Sequence, residues 1–243
     1  MSLKSRCRLK IAESLCTAFY SCLIMLIFGN ALHADEVVSQ EKSPVLASIK
    51  LENGSTENLE VRGMKLRVNR RATKTGWSIT LSGRASGGNF KGTYNFSNVS
   101  DYPSELVIAE LDPTNSAPEI MFSAFSGGAH CCEIPVIYEE AEPGNWIFVE
   151  HVMNDATPPL IEDIDNDGEG ELITFDQTFF YAFDSYAASY SPIAIERLRQ
   201  GNLIDVTKTK SGRKRLRVQI SELESYAESE PNLWQSNGFL AAW

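Results

Sequence analysis

Cysteine and histidine are scarce in this chain. Among 243 residues there are five cysteines and three histidines, and Cys7, Cys16 and Cys22 fall within the first 22 positions. Only the adjacent pair Cys131 and Cys132 stands in the body of the sequence. A disulfide-stapled mini-fold is therefore excluded, and a hydrophobic core must carry the stability. There is no Gly-x-Ser-x-Gly elbow, no phosphate-cradling Gly-rich loop and no His-Glu-x-x-His. Their absence removes the motif-based routes to a serine hydrolase, a nucleotide-binding protein or a zinc peptidase. Positive charge is also in deficit, with 22 Lys and Arg against 32 Asp and Glu.

What is present begins with a basic and then apolar start. Lys4, Arg6, Arg8 and Lys10 precede an apolar stretch from Leu15 to Phe28, and small residues follow at Gly29, Ala31 and Ala34. This order reads residues 1–34 as a secretory signal peptide, with an uncleaved single-span anchor as the alternative. Cleavage would remove four basic residues and Glu13, leaving 18 basic and 31 acidic side chains and a net charge near −13. Such a body repels phosphate backbones and anionic lipid, which argues against a nucleic-acid partner. The expected location is periplasmic or secreted, with no membrane insertion once the signal is removed.

Residues 35–60 are polar and weakly patterned, and read as a flexible lead-in. From 61 to 104 the hydrophobic period is close to two: Trp77, Ile79 and Leu81 alternate with Ser78, Thr80 and Ser82. Glycines separate such runs, the pattern of a meander of short antiparallel strands. Over 105–210 further strands are expected, including hairpins across Glu142-Pro-Gly-Asn145 and Gln200-Gly-Asn202. Phe179, Phe183, Tyr186 and Tyr190 fit either a helical face or an aromatic strand followed by a loop. From 211 to 243, Leu216, Ile220, Leu223 and Tyr226 have helical spacing, and the pattern still reads as helix at Trp243, as in a shortened version of a longer chain. The expected fold is mainly β: a propeller-like or meander array of short antiparallel sheets with a C-terminal helical segment.

One loop concentrates the chemistry. Asp163, Asp165, Asp167 and Glu171 occupy positions 1, 3, 5 and 9 of a run with Gly168 at position 6. These carboxylates, with the backbone carbonyl of Glu169 at position 7, are the oxygen set a hard dication takes around a tight turn. Zinc would want the imidazole or thiolate that the loop lacks. An EF-hand is disfavoured, because position 12 is Thr174 and both flanks read as strands. A degenerate copy lies about 53 residues earlier, Glu110-Leu-Asp112-Pro-Thr114-Asn115-Ser-Ala-Pro-Glu119, with one extra residue and no position-5 carboxylate.

On Asp163, Asp165, Asp167, Gly168, Glu171 and the strand Leu172-Ile-Thr, the loop resembles the calcium loop of the FG-GAP or VCBS-like repeat of integrin-type propellers. The resemblance implies a structural Ca2+ rather than a catalytic one. The copy at 110–119 departs from the pattern at Thr114 and Asn115 and is expected to bind no metal or to bind it weakly. The second unusual run is Gly127-Gly-Ala-His130-Cys131-Cys132. It reads as a vicinal Cys131–Cys132 disulfide, as two inert thiols, or as a thiolate or soft-metal site on His130 and Cys132 with Glu133 or His151 assisting. The chain also resembles uncharacterised secreted bacterial proteins that pair such a run with an Asp-rich loop. Two functions follow as expectations. One is an exported, calcium-stabilised β-rich protein with a structural or recognition role towards a protein or glycan of the envelope. The other is an envelope hydrolase or thiol enzyme using His130 and Cys132.

Overall fold

Alternating apolar and polar side chains fold most of the chain into strands. The computed structural model describes residues 43–128, 131–151, 154–155 and 157–242, which belong to one compact unit, Gln40–Trp243. The expected signal peptide lies outside them. The chain is mainly β, built from several antiparallel sheets that do not close, with a helical C-terminal segment.

The first sheet is a meander of β2 (Thr56–Val61), β3 (Met64–Ala72), β4 (Gly76–Ala85) and β5 (Gly88–Ser97). The second contains β6 (Ser104–Ala109), β7 (Glu119–Phe125), β8 (Cys131–Glu142) and β9 (Asn145–Glu150). It is extended by β1 (Val45–Leu51) beside β6 and by the two-residue β10 (Asn154–Asp155) beside β8. The third sheet is a meander of β11 (Leu160–Glu162), β12 (Glu171–Phe175), β13 (Ile193–Arg199) and β14 (Asn202–Asp205). The helix α1 (Lys210–Ser229), a short turn and α2 (Asn237–Ala242) follow.

Strand periodicity explains the layering. Trp77, Ile79 and Leu81 of the first sheet and Leu106, Phe122, Val136 and Tyr138 of the second are at most 2% exposed and share one core. The opposite face of the second sheet gives Met121, Ile137 and Val149 to a core with Leu172 and Leu198 of the third. Strand β7 is therefore buried on both faces, and its Ile120, Met121 and Phe122 follow one another without alternation. A third cluster, Ile164, Ile173, Ile193 and Ile195, receives Leu216 of α1. Each fully buried aliphatic side chain contributes about 1.5–3 kcal/mol, so these interfaces dominate stability.

Two expectations change. The stretch 35–60 is not a loose lead-in throughout, because β1 pairs with β6 from Val45 to Leu51 and β2 pairs with β3. Its pattern is weak because β1 is an edge strand whose partners lie more than 50 residues away. The aromatic stretch 177–190 forms two 3-10 turns, Gln177–Phe179 and Tyr186–Ala188, the first capped by Asp176 on the Thr178 N–H. Both expected hairpins form, as β8–β9 and β13–β14. No helix among the described residues is long and apolar enough to cross a membrane.

Candidate metal centre

The acidic loop is fixed at both ends by strands and from beneath by an apolar anchor. It leaves β11 at Glu162 and enters β12 at Glu171. Ile164, at its second position, is buried against Ile173, Ile193 and Ile195. Asn166 and Gly168 take left-handed backbone, at φ 63° and 92°. A Cβ on Gly168 would meet nothing within 4 Å, so glycine is required there for its backbone and not for space. Asp163 closes the turn, accepting the Asp167 N–H on Oδ1 at 3.1 Å and the Gly168 N–H on Oδ2 at 2.8 Å.

This folding brings one oxygen each of Asp163, Asp165 and Glu171 within 4.8 Å of one another. Two oxygens bound to a common calcium at about 2.4 Å can stand at most about 4.8 Å apart, so the three fit a single ion. All three donors are hard carboxylate oxygens, which suits calcium or another hard dication. Asp167 stands outside the trio: its Oδ1 accepts the Glu169 N–H at 2.9 Å. The Glu169 side chain turns away to Arg199. Of the four expected side-chain ligands, Asp163, Asp165 and Glu171 are thus gathered and Asp167 is not. The role expected of Glu169 is that of its backbone carbonyl, which the side-chain pairing leaves free.

The sequence reading missed the arginines of β13. Arg197 donates from Nε to Glu171 Oε1 at 2.9 Å and from Nη2 to Asp165 Oδ2 at 2.8 Å, with Asp167 Oδ2 3.7 Å away. Arg199 pairs with Glu169. Five carboxylates then face two guanidiniums, and three negative charges stay uncompensated. Glu171 is fully buried, and burial pushes its carboxyl up despite the opposing hydrogen bond from Arg197 and the Ile164 N–H at 3.1 Å. A dication beside Glu171 would relieve both the repulsion and the desolvation. The signal for these arginines was the spacing Arg197-x-Arg199 on the strand paired with β12, visible only once that pairing is known.

The degenerate copy uses the same backbone device with a different filling. Glu119, fully buried at the start of β7, folds back to accept the Leu111 N–H at 2.7 Å and the Asp112 N–H at 3.1 Å. The Asn115 amide donates to its other oxygen at 2.6 Å. Burial raises Glu119 to about 8, although all three hydrogen bonds pull it down. The two loops touch: the Gly170 N–H donates to Glu110 O at 2.8 Å. A Cβ on Gly170 would stand 2.5 Å from Ile161 and 3.1 Å from Leu111, so this contact requires glycine. Nearby, Glu139 is fully buried, and burial with the adjacent Asp112 raises it to about 7 against the pull of the Gly201 backbone N–H.

The expected Cys131–Cys132 disulfide falls on Cys131, whose side chain lies outside the described ones. No pair of sulfur atoms among the described side chains lies at or near bonding distance. Strand β8 begins at Cys131. The Cys132 N–H donates to Ser126 Oγ at 2.7 Å. His130, the other half of the alternative thiol site, lies outside the described residues. Glu133 accepts from Ser123 Oγ, and burial pushes its carboxyl up. His151 is buried, with Nε2 2.5 Å from Glu196 Oε2, and ties the end of β9 to β13.

No protein-family profile matches the chain, and no solved structure matches it. Two curated proteins do. An uncharacterized protein of Sinorhizobium fredii is 35% identical over 139 residues, covering 57% of this chain and 22% of that protein. A probable thylakoid lumen protein of Synechocystis is 33% identical over 146 residues, covering 57% of this chain and 41% of that protein. The chain therefore spans less than half the length of either relative.

Proposed function

We propose that this is an exported β-rich protein in which a calcium ion in the loop 163–171 stabilises the third sheet, and that its role is structural or one of recognition in the cell envelope. The observation that carries this reading is the convergence of Asp163, Asp165 and the fully buried Glu171 in one loop that retains excess negative charge. Asp163, Asp165 and Glu171 would hold the ion, which would supply charge neutralisation and a cross-link between the start and the end of the loop. The matching fold-back of Glu119 and Glu171 onto the second residue of each loop supports kinship with FG-GAP or VCBS-like repeats. The layered four-stranded meanders are consistent with that kinship.

Export rests on the basic and apolar order of residues 1–34 and on a relative named as a thylakoid lumen protein. The reading is tested by melting the calcium-loaded protein with and without EDTA. Chelation is expected to lower the Tm, and Asp163→Asn is expected to remove the difference. An identical Tm in calcium and EDTA would reject the metal half of the proposal.

A further inference from the structure

We propose that the outer face of the first sheet, with the cleft at its turn end, binds an anionic polysaccharide. This narrows the recognition half of the function above and does not depend on the metal half. The chain as a whole carries −10, but the charge is unevenly spread. Residues 56–97 hold eight basic and two acidic side chains. The strand register sorts them by face: Leu66, Val68, Ile79 and Leu81 turn into the core, and Lys65, Arg67, Arg71, Arg84 and Lys91 turn outwards. All five are exposed. Glu60 is the one acidic residue of these strands that the register places on that face, 3.9 Å from Lys65. Arg67, Arg71, Arg84 and Lys91 have no carboxylate partner among the described residues.

Stability alone does not account for this arrangement. Lys65 and Arg84 are direct cross-strand partners, and like charges placed directly opposite destabilise a sheet. An anion between them would turn that cost into binding. The same two residues, with Arg62 and Ser86, line a cleft of about 570 Å³ that has no acidic residue in its wall. Arg62 takes left-handed backbone at φ 45°, an unfavourable conformation for a side chain of this size, and pairs with Glu110 at 2.7 Å. The cleft therefore opens onto a continuous cationic strip on β3, β4 and β5.

The rest of the face selects the polymer. Between the cations stand short hydroxyl and amide side chains, among them Ser82, Thr80 and Thr93, which can hydrogen-bond sugar hydroxyls. None of the large exposed apolar side chains belongs to residues 56–97, so the face offers no wedge for a bilayer and no ring on which to stack a base. The start of α1 is a second basic cluster, with six Lys and Arg and no acid over 208–217, but it does not line the cleft described above.

The test uses the full chain with dextran sulfate, carboxymethyl-dextran, unmodified dextran, phosphatidylglycerol vesicles and duplex DNA, each in calcium and in EDTA. Both charged dextrans are expected to bind, with affinity falling steeply as salt is raised, and unmodified dextran is not. The variants K65S/R84S and R67S/K91S should each weaken binding by about tenfold or more without lowering the Tm, and K210S/K214S in α1 should leave it unchanged. Four results would each overturn the proposal. These are no binding of either charged dextran, equal binding of unmodified dextran, unchanged affinity in both sheet variants, or tighter binding to vesicles or DNA. Binding that persists in EDTA while the Tm is insensitive to calcium would reject the metal reading and keep this one.

Discussion

The loops 110–119 and 163–171 share a backbone device and differ in what fills it. In each, a buried glutamate at the start of a strand reaches back to the N–H of the loop's second residue. Around Glu119 the filling is neutral, from a second backbone N–H and the Asn115 amide. Around Glu171 it is charged, from Arg197 on one side and two further carboxylates on the other. The difference teaches that a loop of this type can be closed by an amide, which asks for no ion. Where aspartates replace the amide, the same geometry gathers more negative charge than its arginines offset.

The comparison can be broken most severely at Glu119. Glu119→Ala would strand two buried backbone donors and the Asn115 amide, a loss of about 3–5 kcal/mol that urea denaturation would register regardless of calcium. Next in size is the metal effect on the second loop. At calcium a hundredfold above its dissociation constant, the bound ion would add about 2.7 kcal/mol, which chelation should remove in the native protein but not in Asp163→Asn.

A third prediction concerns pH. Glu139 and Glu119 are raised to about 7 and about 8 from an ordinary 4.5. The folded state thus holds these protons more tightly than the unfolded chain. Their contribution is complete below about pH 4.5 and is lost as pH rises through about 7 and 8. Glu139→Gln, which keeps that site neutral, should raise stability at pH 8 by on the order of 2 kcal/mol and have little effect at pH 4.5. The smallest effect is expected at Gly168, where alanine would strain a residue at φ 92°, costing about 1 kcal/mol and weakening calcium binding in a titration.

The sequence made part of this legible. Trp77, Ile79 and Leu81 announced a half-buried strand, and Glu142-Pro-Gly-Asn145 announced a turn, because both signals are local. The carboxylates of 163–171 were visible for the same reason. Strand β1 was not, since its pairing with β6 is set by residues far along the chain. Arg197 escaped notice because its place beside Glu171 depends on the β12–β13 register. The cationic face was hidden by a net charge that averages a basic sheet with an acidic remainder.

The stack of three sheets has two outer faces, and each is closed to further stacking by different means. At one end α1 lays Leu216 against the third sheet, so another copy would have to displace a 20-residue helix. At the other, Lys65, Arg67, Arg71, Arg84 and Lys91 would confront their own duplicates across any symmetric junction. An architecture that grows by adding layers is thereby kept from growing between molecules: a helix guards one end and mutual repulsion the other.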